Sequence, residues 1–201
     1  MREKVKEGYE KADYEGDYRK DREIQEVEKN LFEKVFRKLD EDSKFLDLGC
    51  GFGLPFDKYI TENGFNLVGV DLAEKHVKQA RENVPEAEFI QGDFFDQDFD
   101  ENSFDAVVSF YAIFHIPREE HTKLFQKIRE WVKEDGVILV TMGPDEMDNF
   151  KGEIGGEEML WSSYSQEKNL ELIEEAGFDV LEDYVEDWRD ETHHWVLAKP
   201  D

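Results

Sequence analysis

The stretch KFLDLGCGFGLPFDKYITENGFNLVGVDL, residues 44–72, limits what this chain can fold into more than any other. An apolar run (Phe45, Leu46, Leu48) closes in Asp47-Leu48-Gly49-Cys50-Gly51-Phe52-Gly53 and leads straight into a predicted helix. A second apolar run, Leu67-Val68-Gly69-Val70, ends in an acid, Asp71. Strand, glycine turn, helix, strand and acid is the plan of a nucleotide-binding β-α-β unit. Glycines let backbone approach a ligand with no Cβ in the way. A carboxylate at the tip of the second strand can accept hydrogen bonds from both hydroxyls of a ribose.

The spacing speaks against the common dinucleotide fingerprint, G-x-G-x-x-G with a diphosphate over the helix N-terminus. Here the glycines are Gly49, Gly51 and Gly53, and Leu54 stands where the third fingerprint glycine would fall. Asp47 would also bring negative charge towards a diphosphate, whereas it suits a cation such as an amino group. The run resembles motif I of the class I S-adenosylmethionine-dependent methyltransferases, D/E-x-G-x-G-x-G, matched at Asp47, Gly49, Gly51 and Gly53. Cys50, small and set between motif glycines, reads as structural.

The rest of the chain extends an α/β pattern. Ile24, Val27, Leu31, Val35 and Leu39 predict a helix from about residue 19 to 39, after a polar, tyrosine-punctuated start. Val77, Ala80 and Val84 mark a helix stopped by Pro85, and Ala87 to Gln91 a short strand. FDAVVSF (104–110) and VILVTM (137–142) read as buried strands on either side of a helix over 118–133 that Gly136 follows. Ser165 caps a predicted helix ending at Gly177. Phe178 to Val185 and His193 to Lys199 then make two strands whose short connection forces them antiparallel. The expected fold is a Rossmann-like three-layer α/β/α sandwich with a seven-stranded, mostly parallel sheet and an antiparallel last strand, which resembles the methyltransferase sheet. We expect one domain over 1–201: a helical cover (1–40), a cofactor-binding core (41–142), a lid or substrate loop (143–164), and a C-terminal helix and hairpin (165–201).

The resemblance implies S-adenosylmethionine as cofactor and S-adenosylhomocysteine as product. It places Asp47, Gly49, Cys50, Gly51 and Gly53 near the methionine end, and Asp71 and Leu72 at the ribose. His76 falls where relatives often set a side chain against the adenine. Gly92-Asp93-Phe94 matches the family's G-D-hydrophobic pattern, in which Asp93 accepts from the adenine amine and the Phe94 N–H meets a ring nitrogen; Phe110 follows the fourth strand. FYAIFHIPREEH (110–121), LWSSYSQEKNLELIEEAGF (160–178) and HWVLAKP (194–200) are similar to segments of small archaeal and bacterial methyltransferases.

Open α/β sheets bind ligands beyond the carboxyl ends of their strands. Tyr111 and Met142 lie there, and the long 143–164 segment adds Met159, Trp161 and Tyr164 among flexible glycines. With Tyr14 and Tyr18 these are the candidate substrate contacts. Methyl transfer is an in-line displacement at an activated carbon, so alignment matters most. If the acceptor arrives protonated, His115, with an unperturbed pKa near 6.5, is the candidate base. Tyr111 and His193 are further candidates.

Composition narrows the partners. With 51 acidic against 25 basic residues the net charge is −26, a field that repels nucleic acid. Such acidity also fits a high-salt habitat, although 17 Lys against 8 Arg is not the lysine-poor balance of an extreme halophile. MREKVKEGYE lacks the apolar core of a secretion signal, and no apolar run nears the ~18 residues of a membrane span, so a cytoplasmic protein is expected. The acid-rich loop 93–101 fails the calcium pattern: counted from Asp96, Glu101 and Val107 stand where Gly and Glu are needed. With one cysteine and no H-E-x-x-H, no metal is expected. The expected partner is a small-molecule acceptor, without nucleic acid or membrane, for a monomer or homodimer. The rival readings are an NAD-type oxidoreductase and a non-catalytic S-adenosylmethionine-binding protein.

Overall fold

The computed structural model describes residues 1–12, 22–188 and 191–201. Helices α1 (Arg2–Lys11) and α2 (Glu26–Phe36) come first. Strand β1 (Lys44–Leu48), α3 (Phe56–Glu62), β2 (Asn66–Asp71), α4 (Glu74–Asn83), β3 (Glu88–Gln91) and β4 (Phe104–Ser109) follow. Then come α5 (His121–Trp131), β5 (Val132–Met142), β6 (Met147–Ile154), β7 (Glu157–Ser163), α6 (Gln166–Glu175), β8 (Phe178–Trp188) and β9 (Glu191–Pro200).

Seven strands form one sheet in the order β3-β2-β1-β4-β5-β9-β8. The ladders from β3 to β5 are parallel. Strand β9 runs antiparallel to both β5 and β8, as expected for the last strand. From β1 the chain goes to β2 on one side and later to β4 on the other. Connections that diverge in this way open a crevice at the carboxyl end of β1, where the glycine motif lies.

Both faces of the sheet are covered, so its central strands are mostly apolar. Along β1, Phe45 faces one core with Phe32, Phe56, Phe110 and Trp195, while Leu46 and Leu48 face the other with Ile128, Val140 and Val196. Period-two alternation therefore puts Asp47 on the same side as Phe45, an acid on an aromatic face. There Phe56 and Phe110 meet with ring centroids 4.4 Å apart.

Three elements differ from the sequence-based expectation. Helix α2 begins at Glu26, where Gln25 and Glu28 form a reciprocal cap; residues 19–21 lie outside the described residues. Gly136 ends no helix: it sits inside β5, where an added Cβ would meet Asp105 O at 2.8 Å, beside a register shift in the β4 ladder. Residues 143–164 are not an irregular loop but mostly the β6–β7 hairpin. Gly155 and Gly156, with φ of 55° and 82°, supply the two left-handed positions of a tight hairpin turn.

Candidate functional site

A cavity opens where the carboxyl ends of β1, β2, β3 and β4 converge. It holds about 1020 Å³ of space, part of it open to solvent, near the upper limit of the roughly 300–1,000 Å³ usual for small-molecule sites. The glycine turn forms its floor. Gly49 has φ +87° and abuts Ala112 so closely that no side chain fits. Gly51 has φ +55°, and a Cβ there would meet nothing within 4 Å. The backbone thus lies bare towards the cavity.

Asp71 locks this turn to the tip of β2. One carboxylate oxygen accepts from Gly51 N (2.9 Å); the other accepts from Ala73 N (2.9 Å) and lies 3.4 Å from His76 Nδ1. Burial alone would raise its pKa, but the His76 ring and the two amides more than offset that, holding the carboxyl below its usual range. A carboxylate has about four lone-pair sites, so Asp71 can still accept from a ligand.

Asp47 and Asp57 are opposite in character. They are 3% and 1% exposed, and both line the cavity. Asp47 Oδ1 and both oxygens of Asp57 meet no hydrogen-bond donor among the described residues. Burial, reinforced by the Asp57 charge, pushes Asp47 well above the ordinary carboxylate range. Burial likewise pushes Asp57 up to about 7.

Asp93, at the tip of β3, accepts from Phe95 N (2.9 Å) and from Arg2 Nη1 (2.9 Å). Arg2 also pairs with Glu120, and its guanidinium lies 4.6 Å from the Phe95 ring centroid. Arg2 belongs to α1, which roofs the cavity. Glu10 accepts from the Glu74 and Lys75 amides at the start of α4 (2.5 and 3.3 Å), and Gly8 lies against Met159 of β7.

The Tyr9 hydroxyl reaches His115 Nε2 (2.9 Å), while His115 Nδ1 is 2.8 Å from Leu160 O. A carbonyl can only accept, so Nδ1 carries the hydrogen and Nε2 takes the Tyr9 proton. Burial drives the His115 pKa down to about 4, so the ring stays neutral at pH 7 rather than titrating near 6.5. Tyr111, at φ +59°, donates to Glu28 Oε1 (3.1 Å) and accepts from Arg22 Nη2 (2.7 Å); Arg22 and Glu28 form a buried ion pair.

All eleven residues expected at the cofactor line this one cavity: Asp47, Gly49, Cys50, Gly51, Gly53, Asp71, Leu72, His76, Asp93, Phe94 and Phe110. Tyr111 and His115 line it too. His193 lies behind Tyr111, with ring centroids 4.6 Å apart. Met142 is fully buried in the core on the other face of the sheet. Met159 lies under α1, and Trp161 packs on the His115 ring at 5.3 Å. Tyr164 lies 5.2 Å under the Arg118 guanidinium. Tyr14 and Tyr18 fall outside the described residues. Sequence reasoning passed over Asp57, Arg2 and Arg22. Asp57 had a signal, since it stands three residues before Ile60 on the apolar phase of α3. Arg2 and Arg22 had none, because their partners are distant or hidden in the packing.

Among the described residues no group of three His, Cys, Asp or Glu side chains could hold a metal ion, and no helix is long and apolar enough to cross a membrane. An S-adenosyl nucleoside fits what is present: a carboxylate with free lone pairs for the ribose, donor-less carboxyls for an ammonium, and bare glycine backbone between them.

Comparison with known proteins agrees. Residues 45–136 match a family described as methyltransferase domain. The phosphoethanolamine N-methyltransferase of Plasmodium falciparum is 38% identical over 107 residues, 51% of this chain and 40% of that protein. A sterol 24-C-methyltransferase of Gibberella zeae is 31% identical over 173 residues, 79% of this chain and 42% of that protein. The chain thus spans less than half the length of these curated relatives. The crystal structure of an S-adenosylmethionine-dependent methyltransferase from Clostridium acetobutylicum shares the fold, with a TM-score of 0.73, 16% identity, and 93% and 96% of the two chains covered. Motif, sheet order and domain match converge: residues 45–136 match the methyltransferase domain family, and the fold around them resembles that of the S-adenosylmethionine-dependent methyltransferases.

Proposed function

We propose that the protein transfers a methyl group from S-adenosylmethionine to a small-molecule acceptor. The observation that carries this reading is the convergence of Asp47, Asp71 and Asp93, from the tips of three adjacent strands, on one cavity floored by Gly49 and Gly51. Asp71 would accept from the ribose hydroxyls, and Asp93 with the Phe94 N–H would read the adenine edge. Asp47 and the glycine backbone would hold the methionine end. The cofactor supplies a methyl group already activated on a sulfonium.

The chain's own task is then alignment, which can be worth ~7–11 kcal/mol, together with exclusion of water. Helix α1 provides the exclusion by closing over the cavity with Arg2, Tyr9 and Glu10. His115 stays neutral and offers Nε2 as an acceptor. In place of its bond to Tyr9 it can take one from an acceptor N–H or O–H and so orient the nucleophile. Tyr111, fixed by Arg22 and Glu28, walls the methionine end, with His193 bracing it from behind. The names of the relatives, acting on phosphoethanolamine and on sterols, favour a small acceptor over a polymer.

The test is incubation with methyl-labelled S-adenosylmethionine and a panel of amines, phosphobases, sterols, phenols and thiols, with label transfer and S-adenosylhomocysteine release as readouts. Turnover on a panel member is the expected result. Tight S-adenosylhomocysteine binding with no transfer across the panel would favour a non-catalytic binder, and binding of NAD(H) alone would favour an oxidoreductase.

A further inference from the structure

We propose that Asp57 is a ligand-binding residue, forming with Asp47 a paired-carboxylate receptor for the α-ammonium group of S-adenosylmethionine. The inference rests on the cofactor reading above and adds to it a residue outside the glycine motif, from the first turn of α3.

Asp57 shares the buried phase of α3 with Phe56 and Ile60, so the fold carries its carboxyl inward. It is 1% exposed, lines the cavity, and meets no donor with either oxygen among the described residues; Asp47 Oδ1 is in the same position. Buried polar groups without partners are costly, and two acids facing each other doubly so. Such a pair persists where a ligand completes it. An ammonium fits, because its three N–H donors can be divided between two carboxylates. Of the cations that line the cavity, the Arg22 guanidinium is paired with Glu28, Arg2 is paired with Asp93 and Glu120, and Lys6 belongs to the α1 roof; the His76 ring lies against Asp71. Asp71, Cys50, Tyr111 and His115 complete the surroundings, and none of them brings a cation to Asp57.

Without ligand, the two carboxyls hold a proton between them near neutral pH, since burial and mutual repulsion disfavour two charges. A bound ammonium stabilises both as carboxylates, and the displaced proton goes to the buffer. Ligands with the amino acid end should therefore release a proton on binding, whereas the bare nucleoside should not.

The experiment is calorimetric titration with S-adenosylhomocysteine and with 5′-methylthioadenosine, which keeps the nucleoside and lacks the amino acid end. In the unaltered protein at pH 7, buffers of different ionisation heat should reveal proton release with the first ligand and none with the second. Asp57→Asn should weaken S-adenosylhomocysteine roughly tenfold to hundredfold, the loss expected for a charge-assisted bond, and change 5′-methylthioadenosine less than about twofold on the same argument. Equal proton release with both ligands, or an Asp57→Asn variant that binds S-adenosylhomocysteine normally, would overturn the proposal while leaving the cofactor reading standing. If neither nucleoside binds the unaltered protein, both fall together.

Discussion

The floor of the cavity is built from backbone and from residues close in sequence, whereas its roof is built from side chains that meet across far longer separations. On the floor, Asp71 reaches Gly51 twenty positions earlier and Ala73 two positions later. At the roof, Tyr9 meets His115 across 106 positions and Arg2 meets Asp93 across 91. A floor so constructed is pre-formed and intolerant of added atoms. A roof held by a few partly exposed polar contacts can open, because exposed ion pairs are worth only ~0–1 kcal/mol each. The difference suits a site that grips a nucleoside from below and must still admit it from above.

Five substitutions would break or sharpen this contrast. The largest effect is expected from Gly49→Ala, where the added Cβ collides with Ala112 in a left-handed backbone. We expect no measurable S-adenosylhomocysteine binding and a clearly lower melting temperature. Binding within tenfold of the unaltered protein would show that the floor can give. Next, Asp71→Ala should raise the dissociation constants of both S-adenosylhomocysteine and 5′-methylthioadenosine roughly tenfold to hundredfold. It should also lower the melting temperature, since the Gly51 and Ala73 amides lose their acceptor.

The third effect concerns stability. The folded-state pKa of Asp57 is raised to about 7, above its unfolded value near 3.8, so its ionisation opposes folding at higher pH. Asp57→Asn should therefore melt several degrees higher at pH 8, and the gain should shrink as pH falls through 7 towards 4. A gain independent of pH would mean that ionisation of the buried carboxyl is not the cause. The smallest effects belong to the roof. Arg2→Ala and Tyr9→Phe should change nucleoside affinity only a few-fold and speed ligand exchange in stopped-flow measurements. Because His115 is neutral down to about pH 4, its titration should add no limb to the rate profile between pH 6 and 8. A limb near 6.5 would place the ring in a wetter setting than the closed roof provides.

The same division explains what the sequence disclosed. Floor residues obey fixed short spacings, because a strand, a turn and a helix place Gly49, Gly51 and Asp71 by local geometry. The roof follows no spacing rule, so nothing in the sequence marks Arg2. The sequence places Met142 at the ligand edge, yet strand alternation turns it with Ile138 and Val140 into the opposite core. Met159 and Trp161 came closer: they stand one layer behind the cavity, bracing α1 and His115. The glycines of 143–164 suggest flexibility in the sequence alone. As an adjacent pair between two extended runs, Gly155-Gly156 was in fact a hairpin signal.

The place of β9 has a consequence for biosynthesis. It lies between β5 and β8, pairing Ile138 with Ala198 and Met142 with His194. While residues after β5 are still being made, that strand presents an open edge whose Val137–Met142 segment is wholly buried in the finished protein. At ~5–20 residues per second the exposure lasts seconds, long enough for an unpaired apolar edge to recruit another chain. The glycine floor can assemble early on the ribosome, but the sheet that supports it closes only after the β9 residues have emerged. Low expression temperature or added holdase chaperones should therefore raise the soluble yield more than any stabilising change made within the floor.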